Sequence, residues 1–497
     1  MSRLPFLAAV AAALALPLPA AAVIDRVAGP IPYASSAEIY SPGGLPGTEE
    51  ANAIAAAGYV EEEYFVSGKG DVYASGDDAP RLERQGIPFT TRVLVVRPKD
   101  PRRFNGIVHL TGMHPFQGGV QWNWASHLVL DTGAAYVAVG TGTDKNSRDR
   151  STAAVPIAGP DVTRWFNPAR YAALSWPEDD GIRWTVFSDV ARLLRDENRT
   201  ILAGLEVRRI YSSGWSFLGS FQRTYINEGF HALFRQADGA PLIDGYLIGI
   251  SSPWQTPGYL PINSRTPAPP VGSPRRQLRP IDVPVIEFLS QNEAWQNNAP
   301  QAPERDGRSG GHRLYEIGGA SHRDLGLAAA RSNVGQLAAR GHPGGRPDPA
   351  CAFGLSDVPL RLLFTAAMAN LHRWVEDGTP PPPGARLQFT RAQEVARDDA
   401  GNPLGGVRSV QLDLPLARYG APPGRQCADV IPQYIPMRRM PFDAAELARR
   451  YPGGEADYLQ RASIRIRQMV DQRWLRPEDA PRYERQLRDA AAEAFEP

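Results

Sequence analysis

Short apolar runs alternate with longer amphipathic stretches through much of the chain. Gly106–Leu110 (GIVHL), Ala134–Val139 (AAYVAV), Asp244–Ile250 (DGYLIGI), Val283–Leu289 (VPVIEFL) and Arg313–Ile317 (RLYEI) are short and apolar at nearly every position. That pattern fits strands buried on both faces. Phe89–Val96 (FTTRVLVV) and the EEEYFVSG run from Glu61 also read as strands, the former stopped by the prolines of Arg97–Pro101. Helical spacing of apolar residues marks Glu49–Ala57, Trp124–Leu130, Trp184–Leu194 and Leu360–Val375, the last ended by DGTPPPPG. Strands alternating with helices predict an α/β protein with a mostly parallel central sheet and helices on both faces.

Some stretches break the pattern. Residues 23 to about 90 are turn-rich around IPYASSAEIYSPGG. The segment 141–180 is polar and carries Trp165, Phe166, Tyr171 and Trp176. It reads either as a lid-like insertion or as a surface excursion packing its own aromatics. Arg265–Arg279, rich in proline and arginine, reads as a linker. Residues 441–497 form a charged helical extension, with Asp443 as N-cap and Glu446 three residues on. The mature chain, 23–497, is expected to be a single domain.

The chemistry centres on Ile210–Phe234, IYSSGWSFLGSFQRTYINEGFHALF. An apolar segment, a glycine-flanked serine and a helical repeat suggest a strand, a sharp turn and a helix, the arrangement of a nucleophile elbow with Ser216 at its tip. Gly214 stands two before Ser216, but Leu218 occupies the usual second glycine position and Gly219 follows it. A plain turn serine fits the same letters. A serine hydroxyl needs a base. Of the eight histidines, His322 follows the RLYEI strand after a Gly-Gly turn, the position that the order serine, acid, histidine requires. A solvent-exposed loop histidine is the alternative. Glu293, just past VPVIEFL, is the matching acid, or else a surface carboxylate. Phe217 N–H and the loop after GIVHL, through Met113 or His114, are the expected oxyanion donors. Trp165, Phe166, Trp176, Trp215 and Trp254 are candidates to line an apolar pocket, with core packing the alternative for each.

Composition narrows the function further. Hydrophobic residues make up 42% of the 497, enough for a sizeable core, and the net charge of +1 gives no footprint for nucleic acid. MSRLPFLAAVAAALALPLPAAA reads as a cleavable secretory signal over residues 1–22, its apolar core of about 15 residues being short for a spanning helix. A periplasmic or secreted protein without stable membrane insertion is therefore expected. The two cysteines, Cys351 and Cys427, would then sit in an oxidising compartment, where one bridge closing a loop of roughly 75 residues would contribute about 4 kcal/mol. Two buried thiols are the alternative. No His or Cys cluster has zinc-ligand spacing, and no cofactor is implied.

The chain resembles an alpha/beta hydrolase domain family whose elbow reads GWSxSGxxxRTYIN; here Gly214–Asn227 is GWSFLGSFQRTYIN. RLYEIGGASHRD from Arg313, LHRWVEDGTPPP from Leu371, GNPLGGVRSVQLDLPLARYG from Gly401 and MPFDAAELARRYP also match. The resemblance implies an α/β-hydrolase fold, with Ser216 as nucleophile, His322 as base and Glu293 in the acid region. The sequence departs where relatives tend toward VVVEWLN and this chain has IVHLTGMHP, and again at Phe217 and Leu218. The expected function is hydrolysis of a small-molecule carboxylic ester. Lactone or amide hydrolysis, or an inactive hydrolase fold used for binding, are the alternatives; oligomeric state is open.

Overall fold

The computed structural model describes residues 24–32, 38–77, 79–114, 119–142, 159–196, 200–253, 259–263, 265–295, 302–322, 332–341, 354–420 and 437–496. The signal segment 1–22, residues 143–158 of the inserted segment, Trp254, Cys351 and Cys427 lie outside them.

Among the described residues, nine strands form one sheet: β1 (Ile24–Ala28), β2 (Tyr59–Ala74), β3 (Arg81–Pro98), β4 (Ile107–Gly112), β5 (Ala135–Val139), β6 (Arg209–Trp215), β7 (Gly245–Gly249), β8 (Val285–Ser290) and β9 (His312–Ile317). Their spatial order is β1-β2-β3-β5-β4-β6-β7-β8-β9. From β5 to β9 every neighbouring pair is parallel. β1, β2 and β3 pair antiparallel, and β3 joins β5 antiparallel. The sheet is thus mostly parallel with an antiparallel N-terminal edge. The polar, glycine-containing letters of Ser67–Arg84 concealed that edge, where β2 and β3 satisfy each other's backbone over a long register.

The helices are α1 (Glu49–Ala56), α2 (Trp122–Thr132), α3 (Gly159–Phe166), α4 (Arg183–Asp196), α5 (Phe217–Asn227), α6 (Gln291–Trp295), α7 (Ser332–Ala339), α8 (Leu360–Asp377), α9 (Ala444–Arg450), α10 (Gly454–Asp471) and α11 (Ala480–Phe495), with single turns besides. Successive strand side chains point to opposite faces. Tyr136 and Ala138 of β5 join one core with Trp124 of α2, Met368 of α8 and the C-terminal helices. Ala135, Val137 and Val139 join the other, with Val190 of α4 and Phe221 of α5. Both faces are covered, so the strands read as unbroken apolar runs rather than alternating ones. Asp443 caps α9 by accepting from Glu446 N–H at 2.8 Å.

A third cluster is smaller. Tyr40, Phe65, Val162, Phe166, Tyr171, Leu174 and Leu337 pack together, joining the inserted segment to the N-terminal chain and α7. Tyr40 N–H donates to Tyr171 OH at 2.9 Å, Ser41 N–H to Gln336 Oε1 at 3.1 Å, and Arg340 to Phe166 C=O at 2.6 Å. The described part of 141–180 is therefore a wall fastened from two sides.

Candidate active site

Ser216 sits where β6 turns into α5, at the carboxyl end of the parallel strands, the side where open α/β sheets hold their ligands. Its backbone is at φ 60, ψ −117, one of few non-glycine residues with positive φ. Such a conformation costs on the order of 1–3 kcal/mol and persists only where the surroundings hold it. Here Ser216 N–H donates to Gly249 C=O of β7 at 3.0 Å, and Ser216 C=O accepts from Ser220 N–H at 2.9 Å.

The elbow closes despite Leu218. A Cβ on Gly214 would come within 2.5 Å of the Leu218 carbonyl, and one on Gly219 would strike the Gly249 carbonyl. Both glycines are needed for close backbone approach. The Leu218 side chain turns away toward Gly112, whose missing Cβ makes room: a Cβ there would lie 2.9 Å from Leu218 Cδ2. Gly112 of β4 thus accommodates the leucine.

The RTYIN letters anchor the helix behind the serine. Arg223 pairs with Glu287 of β8 at 2.5 Å, Thr224 Oγ1 donates to Leu260 C=O at 2.9 Å, Tyr225 OH meets Ser188 Oγ at 2.8 Å, and Asn227 Nδ2 donates to Arg275 C=O at 3.1 Å. Glu287 is buried, which alone would raise its pKa; Arg223 and His312, 2.9 Å away, outweigh that and hold it near 2. The helical run expected through Phe234 breaks at Gly229, which takes φ +92.

His322 follows β9 and Glu293 lies in α6, directly after β8. Ser216 Oγ and His322 Nε2 are 2.8 Å apart, and His322 Nδ1 and Glu293 Oε1 are 2.8 Å apart. The fold brings these residues together from three strand ends. Glu293 is fully buried, and its second oxygen accepts from both the N–H (3.1 Å) and the O–H of Ser290. With Glu293 accepting at Nδ1, the proton sits there and Nε2 is left to accept from the serine. That tautomer can remove the Ser216 proton.

Two further contacts hold the site, neither evident in the sequence. Trp215 Nε1 donates to His322 C=O at 3.4 Å. Gln121, at the start of α2, grips the Trp215 backbone from both sides: its Oε1 accepts from Trp215 N–H and its Nε2 donates to Trp215 C=O, each at 2.7 Å. The β4–β6 ladder has ended by then, at Leu110 and Ser212, so one amide side chain replaces the missing strand partner. Gln121→Leu is expected to lower kcat by about ten- to a hundredfold through loss of elbow alignment. Steady-state kinetics beside a melting curve check this, and a wild-type kcat would remove Gln121 from the positioning role.

The oxyanion loop differs from expectation. Thr111 and Gly112 belong to β4, so the loop starts later. Met113 N–H donates to Val139 C=O at 2.7 Å and His114 N–H to Gly119 C=O at 2.8 Å. Both N–H groups expected as second donors are engaged, that of Met113 because the β4–β5 ladder carries on into it and that of His114 by a carbonyl five residues on. Phe217 is the first residue of α5, where N–H groups lack intrahelical acceptors.

The aromatic candidates divide. Trp215 stacks on Trp124 with centroids 3.6 Å apart and meets Phe288 and Phe364, so it is core. Phe166 is buried against Tyr40, and Trp165 packs on that third cluster. Trp176 lines a small cavity, with Arg92, Met113, His114, Thr141 and Leu174 among its neighbours. Neither Ser216 nor His322 lines it; His114, which does, has its ring 5.8 Å from that of Phe217. Among the described residues there is no cluster of His, Cys, Asp or Glu that could hold a metal, and no helix is long and apolar enough to cross a membrane.

A family model described as alpha/beta hydrolase domain matches residues 27–485. A search of curated proteins finds no match. Similar solved structures include a thermostable esterase from Pseudomonas putida (12% identity, TM-score 0.28, covering 61% of this chain and 89% of that one). The rice cell wall degrading esterase LipA from Xanthomonas oryzae is 11% identical (TM-score 0.23, 48% and 52% covered). A cold-adapted esterase from an Arctic intertidal metagenomic library is 13% identical (TM-score 0.24, 52% and 84% covered). These likenesses are too distant to bear on substrate.

Proposed function

The chain belongs to the alpha/beta hydrolase domain family, and from that premise we propose that it is a secreted serine hydrolase of carboxylic esters. The observation that carries the reading is the run of two 2.8 Å hydrogen bonds from Ser216 Oγ through His322 to Glu293. Ser216 Oγ attacks the ester carbonyl while His322 Nε2 takes its proton. Glu293 balances the imidazolium that forms, and Phe217 N–H meets the oxyanion. His322 then returns the proton to the departing alcohol. Water, deprotonated by the same imidazole, releases the acid and restores Ser216. Export rests on the leader-like residues 1–22.

Lactones and amides would pass through the same steps. The reading of an inactive binding fold draws on one observation, the engagement of both Met113 and His114 N–H groups. A fluorophosphonate probe followed by peptide mapping separates these. Labelling at Ser216, with turnover of short-chain p-nitrophenyl esters, supports the hydrolase; labelling at another serine would move the nucleophile. An unlabelled protein without turnover would leave the binding fold.

A further inference from the structure

The cavity beside the elbow is built around a buried cation. Arg92 comes from β3 and is only 2% exposed. Its Nε donates to Glu63 and its Nη2 to Tyr40 C=O. The remaining nitrogen, Nη1, meets only Met113 Sδ, at 3.8 Å. A thioether is a weak acceptor, so this guanidinium edge lacks an oxygen partner where burial makes one valuable. Trp176 supplies a second such donor. Its indole Nε1 is buried without a hydrogen-bond partner, against Gly142, where any Cβ would collide with it.

The carboxylate that Arg92 pairs with is shared. Glu63 serves two guanidiniums, Arg92 through Oε1 and Arg170 through Oε2, the latter at 2.6 Å, and it also accepts from Tyr171 OH at 3.0 Å. The other nearby carboxyl, Glu61, is held by Ser41 Oγ and Gly43 N–H and is pushed toward its neutral form by burial. The Arg92 edge that faces Met113 therefore keeps a donor without an oxygen acceptor, at a cavity that Thr141 also lines.

We propose that this cavity receives a free carboxylate carried by the substrate, so that the preferred esters are monoesters of short dicarboxylic acids. The inference rests on the hydrolase reading above and names its substrate class. The carboxylate oxygens accept from Arg92 Nη1 and Trp176 Nε1, and the ester carbonyl lies on the far side of His114, at Ser216. A charge-assisted hydrogen bond in a desolvated site discriminates strongly against an analogue that lacks the charge.

The test compares chain-matched esters on the full protein: monoethyl adipate against ethyl hexanoate, with monoethyl succinate and glutarate to set the length. The expected kcat/KM ratio favours the best monoacid by about ten- to a hundredfold. Both Arg92→Gln and Trp176→Phe should pull that ratio toward one. The second variant keeps the ring and leaves the Arg92–Glu63 pair intact, so it serves if the first does not fold. A ratio of one or below, with ethyl hexanoate turned over, overturns the proposal and leaves the hydrolase standing. A high ratio unaffected by either variant overturns the site. If no ester is turned over and Ser216 is not labelled, the hydrolase reading fails. The cavity is then judged by melting curves with adipate against hexanediol. A rise with adipate alone that Trp176→Phe reduces supports the carboxylate site, and no rise overturns it.

Discussion

Glu293→Gln should lower kcat for a turned-over ester by about 10⁴-fold, nearly as much as Ser216→Ala. The substitution keeps size and shape, so the loss comes from the direction of hydrogen bonds. In the native site one carboxylate oxygen accepts from His322 Nδ1 and the other from two donors on Ser290, its N–H and its O–H. A glutamine has one acceptor oxygen. Two Ser290 donors outcompete one from the imidazole, so the amide oxygen turns to Ser290 and the NH₂ faces Nδ1. An NH₂ there requires Nδ1 to accept, which moves the ring proton to Nε2, and Nε2 can no longer take the serine proton. Adding Ser290→Ala removes the O–H and should restore part of the activity. Single-turnover kinetics on the three proteins check this. Wild-type kcat in Glu293→Gln would assign the acid to another carboxylate, and no recovery in the double variant would discard the tautomer account.

The second large effect is on stability in acid. His109 is buried and His127 and His372 are partly so, and desolvation pushes each toward the neutral form: His109 to about 3, His127 to about 2 with Arg361, Arg482 and Arg476 adding to the effect, and His372 well below its usual value with His109 adding. Both ring nitrogens of His109 and the Nε2 of His372 have no hydrogen-bond partner. The two rings lie 5.0 Å apart, and His372 stacks on Tyr211 at 4.2 Å. The sign follows from proton counting. Between about pH 6.5 and 3 the unfolded chain binds protons at these positions and the folded one does not, so stability is full above pH 6.5 and falls as pH drops through the window. Each histidine removes about 1.4 kcal/mol per pH unit, and the three together about 4, comparable over two units with the whole stability of many domains. Denaturant unfolding from pH 8 to 4.5 measures it. His372→Phe should flatten the dependence by about one proton. Stability constant across that range, or an unchanged slope in the variant, would contradict the account.

The parts legible in the sequence were those fixed by local pattern. Buried parallel strands announce themselves by continuous apolar runs, and the residues just past β6, β8 and β9 gave Ser216, Glu293 and His322 as candidates that the fold brings within hydrogen-bonding distance. Other features depend on what a strand does beyond its apolar run. Thr111 and Gly112 look like loop letters, yet β4 continues through them because β5 pairs with it up to Val139, and that spends the Met113 N–H. Trp215 could have been assigned to the core by counting in twos from Tyr211, since both face α8. Ser290 and Gln121 gave no signal, because a serine after a strand or a glutamine before a helix is unremarkable until the backbone it grips is known.

The third hydrophobic cluster bears on the order in which the molecule assembles. The cavity wall at Thr163, Leu174 and Trp176 stands on residues that meet across long stretches of chain: Tyr40 with Tyr171, 131 positions apart, and Ser41 with Gln336, 295 apart. Closing such loops costs entropy before any contact rewards it. On a ribosome the N-terminal arm waits for most of the polypeptide to emerge before its partner on α7 exists. The cavity is therefore completed after the sheet that carries Ser216, and a chain truncated before Gln336 would leave the arm without its anchor on α7.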